Sequence, residues 1–284
     1  MDALARAFMP LLARHLPEAA LGVTNVPGAA GLTSLQALSH AEPTGATLAW
    51  VSTPTLPARM VDRGADGLLQ QISLLGAVEK EPIAIVSPAA TPLSSVQDIV
   101  ARSADDAEAV PLGTPPAGSA AHLAALRLQA LAGTRLNIVA FPSAAAARQA
   151  AIAGNVAAAA LGLSSAAGDL REGRLVGLGI ATASRAGAFP DMPPLRDAGL
   201  DLSASVRRGL AAPAGLTEPT LRQVTAALQS VVDDPEFQEH ADSSGFVAKW
   251  RDGATWTADA ENERAELAKL WATEPWLQEG AEQP

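Results

Sequence analysis

The stretch Leu21-Gly22-Val23-Thr24-Asn25-Val26, followed by Pro27-Gly28-Ala29-Ala30-Gly31 and later by Pro43-Thr44-Gly45 leading into Ala46-Thr47-Leu48-Ala49-Trp50-Val51-Ser52, decides the fold class. A β-rich run ends in a Pro-Gly turn, a helix-length segment follows, and a second turn opens a second β-rich run. The same alternation continues along the chain. Further candidate strands are Ile83–Ser87, Leu136–Phe141, Val156–Leu161 and Leu175–Ala181, each separated from the next by a segment of helical length. Strands alternating with helices predict an α/β protein with mainly parallel sheets.

At 284 residues the chain exceeds one typical domain, and about 150 residues per domain suggests two lobes. Apolar residues make up 48% of the chain and aromatic residues only 4%, so the core is built from Ala, Leu and Val rather than rings. A formal charge of −10 argues against a protein that tracks a nucleic-acid backbone, although a local field can still oppose the global sign. The absence of cysteine excludes disulfides, thiol catalysis and cysteine-ligated metals. No apolar run reaches the ~18 residues of a spanning helix, because the Ala-rich stretch 144–168 is interrupted by Arg148, Gln149, Gly154 and Asn155.

Several helices announce their ends. Leu4, Phe8 and Leu11 or Leu12 share one face of Asp2–His15, which Pro10 is expected to kink or split. Ser94 with Gln97 forms a candidate capping box before Val96, Ile99 and Val100. Thr217 caps a helix with Pro219 in its first turn and Leu221, Val224, Leu228 and Val231 on its apolar face.

Five segments together resemble one family. Asn25–Gly31 with Pro43–Gly45 is similar to its N-terminal turn pair; Leu112-Gly113-Thr114-Pro115-Pro116-Ala117-Gly118-Ser119-Ala120-Ala121-His122 is similar to its glycine- and serine-rich loop. Val139–Ser143, Phe189–Leu195 with Ala198–Leu200, and Gly209–Gly215 follow in the family's order, so the resemblance runs from residue 2 to about residue 275. On these motifs the chain is identified as similar to the substrate-binding receptors of tripartite tricarboxylate transporters, the Bug family. The resemblance implies a two-lobed periplasmic-binding-protein fold of the second topological type, with the ligand between the lobes. Lobe one would comprise 1–86 and 210–284 and lobe two 87–209, with crossovers near 86–92 and 205–213.

Loops at the carboxyl ends of parallel strands are where open α/β sheets bind ligands, and here they hold suitable groups. Ser52, Thr53 and Thr55 offer hydroxyls, although an ordinary capped turn explains them as well without the resemblance. Gly113, Thr114, Ala117, Gly118 and Ser119 offer backbone amides at a helix start, where N–H groups and the dipole favour a carboxylate. Phe141 and Ser143 end the next strand. His122 is either a ligand contact or a satisfied structural histidine. Arg207 and Arg208 stand where the family carries an aromatic pair, as a guanidinium fork for a carboxylate or as a solvated turn. Where the family often has an acidic residue near the end of Val156–Leu161 this chain has Ala157 and Leu161, which implies a carboxylate ligand without an amino group.

The expected function is therefore capture of a small carboxylate for a two-component membrane permease, by a monomer that is periplasmic by resemblance, without cofactor, metal, nucleic acid or catalysis. The family's first strand and glycine-rich loop lie ahead of the position of Asp2, and no signal peptide is visible at Met1. A signal-less sensor or scaffold, or a decayed copy, is the alternative that follows from this. A hydrolase is weaker still, because Gly162-Leu163-Ser164-Ser165 lacks the second glycine of a nucleophile elbow.

Overall fold

A computed structural model describes residues 1–28, 31–90 and 93–277. In chain order its elements are α1 (Asp2–His15), α2 (Leu32–Ser39), β1 (Ala49–Thr53), α3 (Thr55–Asp62), α4 (Leu68–Gln71), β2 (Ile72–Pro88), α5 (Val96–Asp105), β3 (Pro111–Thr114), α6 (Ala120–Ala132) and β4 (Asn137–Ala140). There follow α7 (Ala144–Ile152), β5 (Ala158–Gly162), α8 (Leu163–Arg171), β6 (Leu175–Ile180), β7 (Ser205–Pro213), α9 (Glu218–Val232), α10 (Pro235–Ser244), β8 (Val247–Asp252) and α11 (Gly253–Thr273).

The chain divides into two compact units. The first comprises Met1–Lys80, Arg207–Ala241 and the chain from Val247 onward; the second comprises Glu81–Val206 with Asp242–Phe246. Strands β2 and β7 each contain a passage from one unit to the other, at Lys80/Glu81 and at Val206/Arg207. Residues Thr91 and Pro92 of the expected 86–92 crossover lie outside the described residues, as do Ala29 and Ala30 of the Asn25–Gly31 turn.

In the first unit β1 pairs antiparallel with β7, and β8 pairs antiparallel with the first part of β2. Strand β7 lies so close to β2 that a Cβ on Gly209 would sit 2.1 Å from the Gly76 carbonyl oxygen, so only glycine fits there. The core gathers Leu32, Leu35, Val51, Leu56, Met60, Ile72, Leu74 and Ala211 around the fully buried Trp256 of α11. In the second unit β5 and β4 flank β3 in parallel, while β2 runs antiparallel to both β5 and β6. Its core is rich in alanine: Ala158 and Ala160 of β5 face Leu112 and Leu128 on one side, and Ala159 and Leu161 face Ala147 and Ala151 on the other.

The α/β class is as expected; the pairing is mixed rather than mainly parallel. The 17-residue strand β2 enters the second unit with a direction already set by the first, and it meets β5 and β6 head to tail. The expected strand Leu21–Val26 does not form. Strand β1 ends the strand order, no strand pairs with Leu21–Val26 among the described residues, and Val26 is 44% exposed. A β-rich run without a ladder leaves its N–H and C=O groups to solvent and gains no pairing from its propensity. Three strands absent from the sequence reading, β3, β7 and β8, are present.

Pro10 does not split α1, which is continuous from Asp2 to His15 and buries Ala5, Phe8, Leu11 and Leu12. The cap of α5 is Ser95, one residue later than expected: its hydroxyl accepts from the Asp98 N–H, and the Asp98 carboxylate accepts from the Ser94 N–H and hydroxyl at 2.9 and 2.5 Å. An acid at the third helical position closes the box, so Asp98 replaces Gln97 in that role. Thr217 caps α9 as expected, and Val224, Leu228 and Val231 are buried.

Candidate functional site

In the second unit the parallel strands β5, β3 and β4 release α8, α6 and α7 at the same end of the sheet. Three helix N-termini therefore converge where N–H groups and helix dipoles favour an anion. Ser119 caps α6 by accepting from the His122 N–H, and Ser143 caps α7 by accepting from the Ala146 N–H at 3.1 Å. Gly118 has φ 74, a left-handed turn that brings the chain from β3 into α6. A Cβ on Gly113 would lie 3.1–3.2 Å from Val156 and Phe141, so the Phe141 ring rests against the end of β3.

The third N-terminus is already occupied. Glu81, fully buried, accepts from the Ser164 N–H at 2.8 Å and from the Ser164 hydroxyl at 2.5 Å, so a carboxylate sits on the start of α8. This acid was not expected at the end of β5, where the sequence has no acidic residue of its own; it arrives from β2. The charged triplet Glu79-Lys80-Glu81 inside an otherwise apolar run was the signal that could have found it.

Thr114 and His122 are turned inward. Both are buried, His122 Nδ1 lies 2.9 Å from Thr114 Oγ1, and that hydroxyl also donates to the Pro115 carbonyl. The pair fixes the β3–α6 loop from beneath. Ala117 is buried as well.

In the first unit Ser52 and Thr55 line a small pocket of about 60 Å³ together with Gly31, Trp50, Leu56 and Arg59. Thr53 is buried and accepts from the Trp256 indole N–H at 3.0 Å. Arg208 pairs with the buried Glu79 across β7 and β2. Hence Ser52 and Thr55 face open space while Thr53 and Arg208 have internal partners. Arg59, which the sequence reading passed over, is buried at the pocket wall and pairs with Asp62 at 2.6 Å.

Arg207 is half-buried on the strand face opposite to Arg208. Burial pushes its guanidinium below the ordinary range, and Arg251 adds repulsion while Asp259 opposes the shift. Burial likewise holds the Lys80 ammonium below the usual lysine range, and the charges of Arg207 and Lys249 push the same way. A lysine whose pKa is lower folded than unfolded binds more protons unfolded, so stability rises with pH in the interval below about 10.4. Lys80→Met is therefore expected to be more stable than the parent at pH 7, with the gap closing as the pH approaches 10. Urea titrations at both pH values check this, and a gap that widens with pH would contradict it.

Among the described residues no helix is long and apolar enough to cross a membrane, and no group of three His, Asp or Glu side chains is placed to hold a metal.

Solved structures that share this fold include periplasmic binding proteins. The chain superposes on MatC from Rhodopseudomonas palustris, solved with bound malate, with a TM-score of 0.83 at 22% identity over 95% of this chain and 93% of that one. It superposes on R. palustris Rpa4515, solved with adipate, with a TM-score of 0.86 at 19% identity over 96% and 92%. These likenesses define the class: the chain has the α/β fold of the periplasmic binding proteins. The profile of the tripartite tricarboxylate transporter family receptor matches residues 5–264, and the chain belongs to that family. A UPF0065 protein of Bordetella bronchiseptica is 29% identical over 276 residues, 96% of this chain and 81% of its own.

Proposed function

We propose that this protein is an extracytoplasmic receptor that captures a small carboxylate and presents it to a two-component membrane permease, without cofactor or catalysis. The observation that carries the reading is the trio of helix N-termini at one end of β5, β3 and β4. One of them already holds a carboxylate from within the chain, Glu81 on α8. The other two, capped by Ser119 and Ser143, present the same chemistry to a ligand carboxylate. In the first unit, taken by itself, Ser52 and Thr55 turn their hydroxyls to a small pocket of that unit. The malate and adipate bound by the two structural relatives are both dicarboxylates, which supports that class here.

A thermal-shift series against malate, succinate, adipate, acetate and amino acids tests the reading. A ligand at 100 times its Kd adds about 2.7 kcal/mol to stability, a shift of a few degrees for a chain of this size. The expected result is an upward shift with dicarboxylates and none with amino acids. A cooperatively folded sample that responds to no carboxylate would refute it and favour a sensor or scaffold role.

A further inference from the structure

We propose that Lys80 and Arg207, with Lys249 beside them, form a second anion site wholly within the first unit, and that its ligand is a small dianion.

Strand alternation places the groups. Glu79 and Arg208 pair on one face of β2 and β7, so Lys80 and Arg207, each one residue along, point to the other face. Lys80 stands opposite Val247 in the β2–β8 ladder, and Lys249, two residues further along β8, shares that face. Arg207 stands opposite Thr53, whose hydroxyl is held by Trp256, so α11 packs on this same face.

The acids within reach are already committed. Asp259 of α11 takes both Nε and Nη2 of Arg251, at 2.9 and 2.8 Å. Asp252 spends its carboxylate on the start of α11, accepting from the Thr255 N–H and hydroxyl. Glu79 is taken by Arg208, and Glu81 by Ser164. Among the described residues neither Lys80 nor Arg207 forms an ion pair, although both are half-buried and the charges of Arg207 and Lys249 act on Lys80.

Two partly desolvated like charges, whose nearest acid Asp259 is shared with Arg251, cost free energy that a bound anion removes. Guanidinium and ammonium together suit a group with two or more charged oxygens: the fork of Arg207 takes two of them, and Lys80 takes a third as a point charge. A single negative charge would neutralise only one of the pair, which is why a dianion fits and a halide does not. The chemistry is shared by an inorganic oxyanion and an organic dicarboxylate. Lys80 and Arg207 are also the residues at which β2 and β7 leave the first unit, so the site holds the two strands together at that point.

The test is equilibrium dialysis of the full chain with radiolabelled sulfate at constant ionic strength, followed by competition with inorganic phosphate and with succinate. Saturable sulfate binding is expected, weakened at least tenfold in Lys80→Met and in Arg207→Met and unchanged in Lys269→Met, an exposed lysine on α11 paired with Glu266. Displacement by phosphate alone identifies an oxyanion as the ligand, and displacement by succinate as well identifies a dicarboxylate; either supports the site. Ser119→Ala combined with Ser143→Ala separates it from the carboxylate site of the second unit and should leave sulfate binding intact. Sulfate binding that survives both cation substitutions, or that disappears only with the serine pair, would overturn the proposal. Arg207→Lys keeps one charge on β7 and serves as the second variant if either methionine variant misfolds; an affinity equal to the parent's would then remove the guanidinium from the site.

Discussion

Replacing Trp256 by alanine is expected to lower the stability of the chain by about 3–5 kcal/mol, the range for removing a large buried aromatic side chain. Trp256 is fully buried at the centre of the first unit's core, against Leu56 and Met60 of α3 and Val51 of β1. Its indole N–H donates to Thr53 at 3.0 Å, in the strand that carries Ser52. Two consequences can be separated. Trp256→Phe keeps most of the apolar volume and loses the hydrogen bond, so it should cost about 1–3 kcal/mol. Trp256→Ala adds a cavity that the neighbours fill only in part. Urea titration with a common denaturant slope reads both. A loss below 1 kcal/mol for the alanine variant would show that α11 is not what holds β1 in place.

The sequence carried the alternating α/β pattern, the strands β4, β5 and β6 and the cap Thr217, because those depend on neighbours within a few residues. The antiparallel pairings of β2 and β7 were not legible: the direction of a strand is set by the path of the whole chain. The segment of β7 presents itself as a crossover through the family resemblance and the punctuation near Pro213, yet Glu79, 129 residues away in sequence, turns Arg208 into a paired strand residue. The β8 run Val247–Asp252 has too many charges to read as a strand without its partner on β2. Leu21–Val26 failed in the opposite sense, a good β-rich run with no ladder among the described residues.

The site followed the same division. Ser119, Ser143 and the loop from Gly113 to Gly118 are named from the sequence because glycine and serine cluster ahead of helical segments there. Thr53 was named beside Ser52 and Thr55 on local grounds, but the group that claims it, Trp256, is 203 residues away. The charged triplet marks Glu81 in the sequence, but its seat on α8 is not legible there for the same reason, with its partner Ser164 at a separation of 83. Hydroxyl and charge can be read from a sequence, whereas whether another part of the chain has already used them requires the fold.

Arg59→Met is expected to destabilise the chain by about 3–5 kcal/mol at pH 7, the cost of leaving one member of a buried ion pair without the other. Arg59 and Asp62 lie 2.6 Å apart on one face of α3, both almost inaccessible, and the Trp276 indole donates to Asp62 at 2.7 Å. Burial pushes the Asp62 carboxyl above the ordinary range, with the Arg59 guanidinium and the indole bond pulling against it. Desolvation therefore outweighs attraction even in the intact pair, and without Arg59 the carboxyl rises further. A carboxyl raised in the folded state contributes stability at pH values below its unfolded pKa and loses it as the pH climbs through the folded one. The deficit of Arg59→Met should accordingly shrink as the pH is lowered from 7 toward 4. Adding Asp62→Leu removes the stranded charge, and the double variant should return to the parent's stability or exceed it by about 1–4 kcal/mol at neutral pH. Urea titrations across the pH range decide the matter. A deficit independent of pH, or a double variant as weak as the single one, would mean that α3 depends on Arg59 for packing against the pocket wall rather than for its charge.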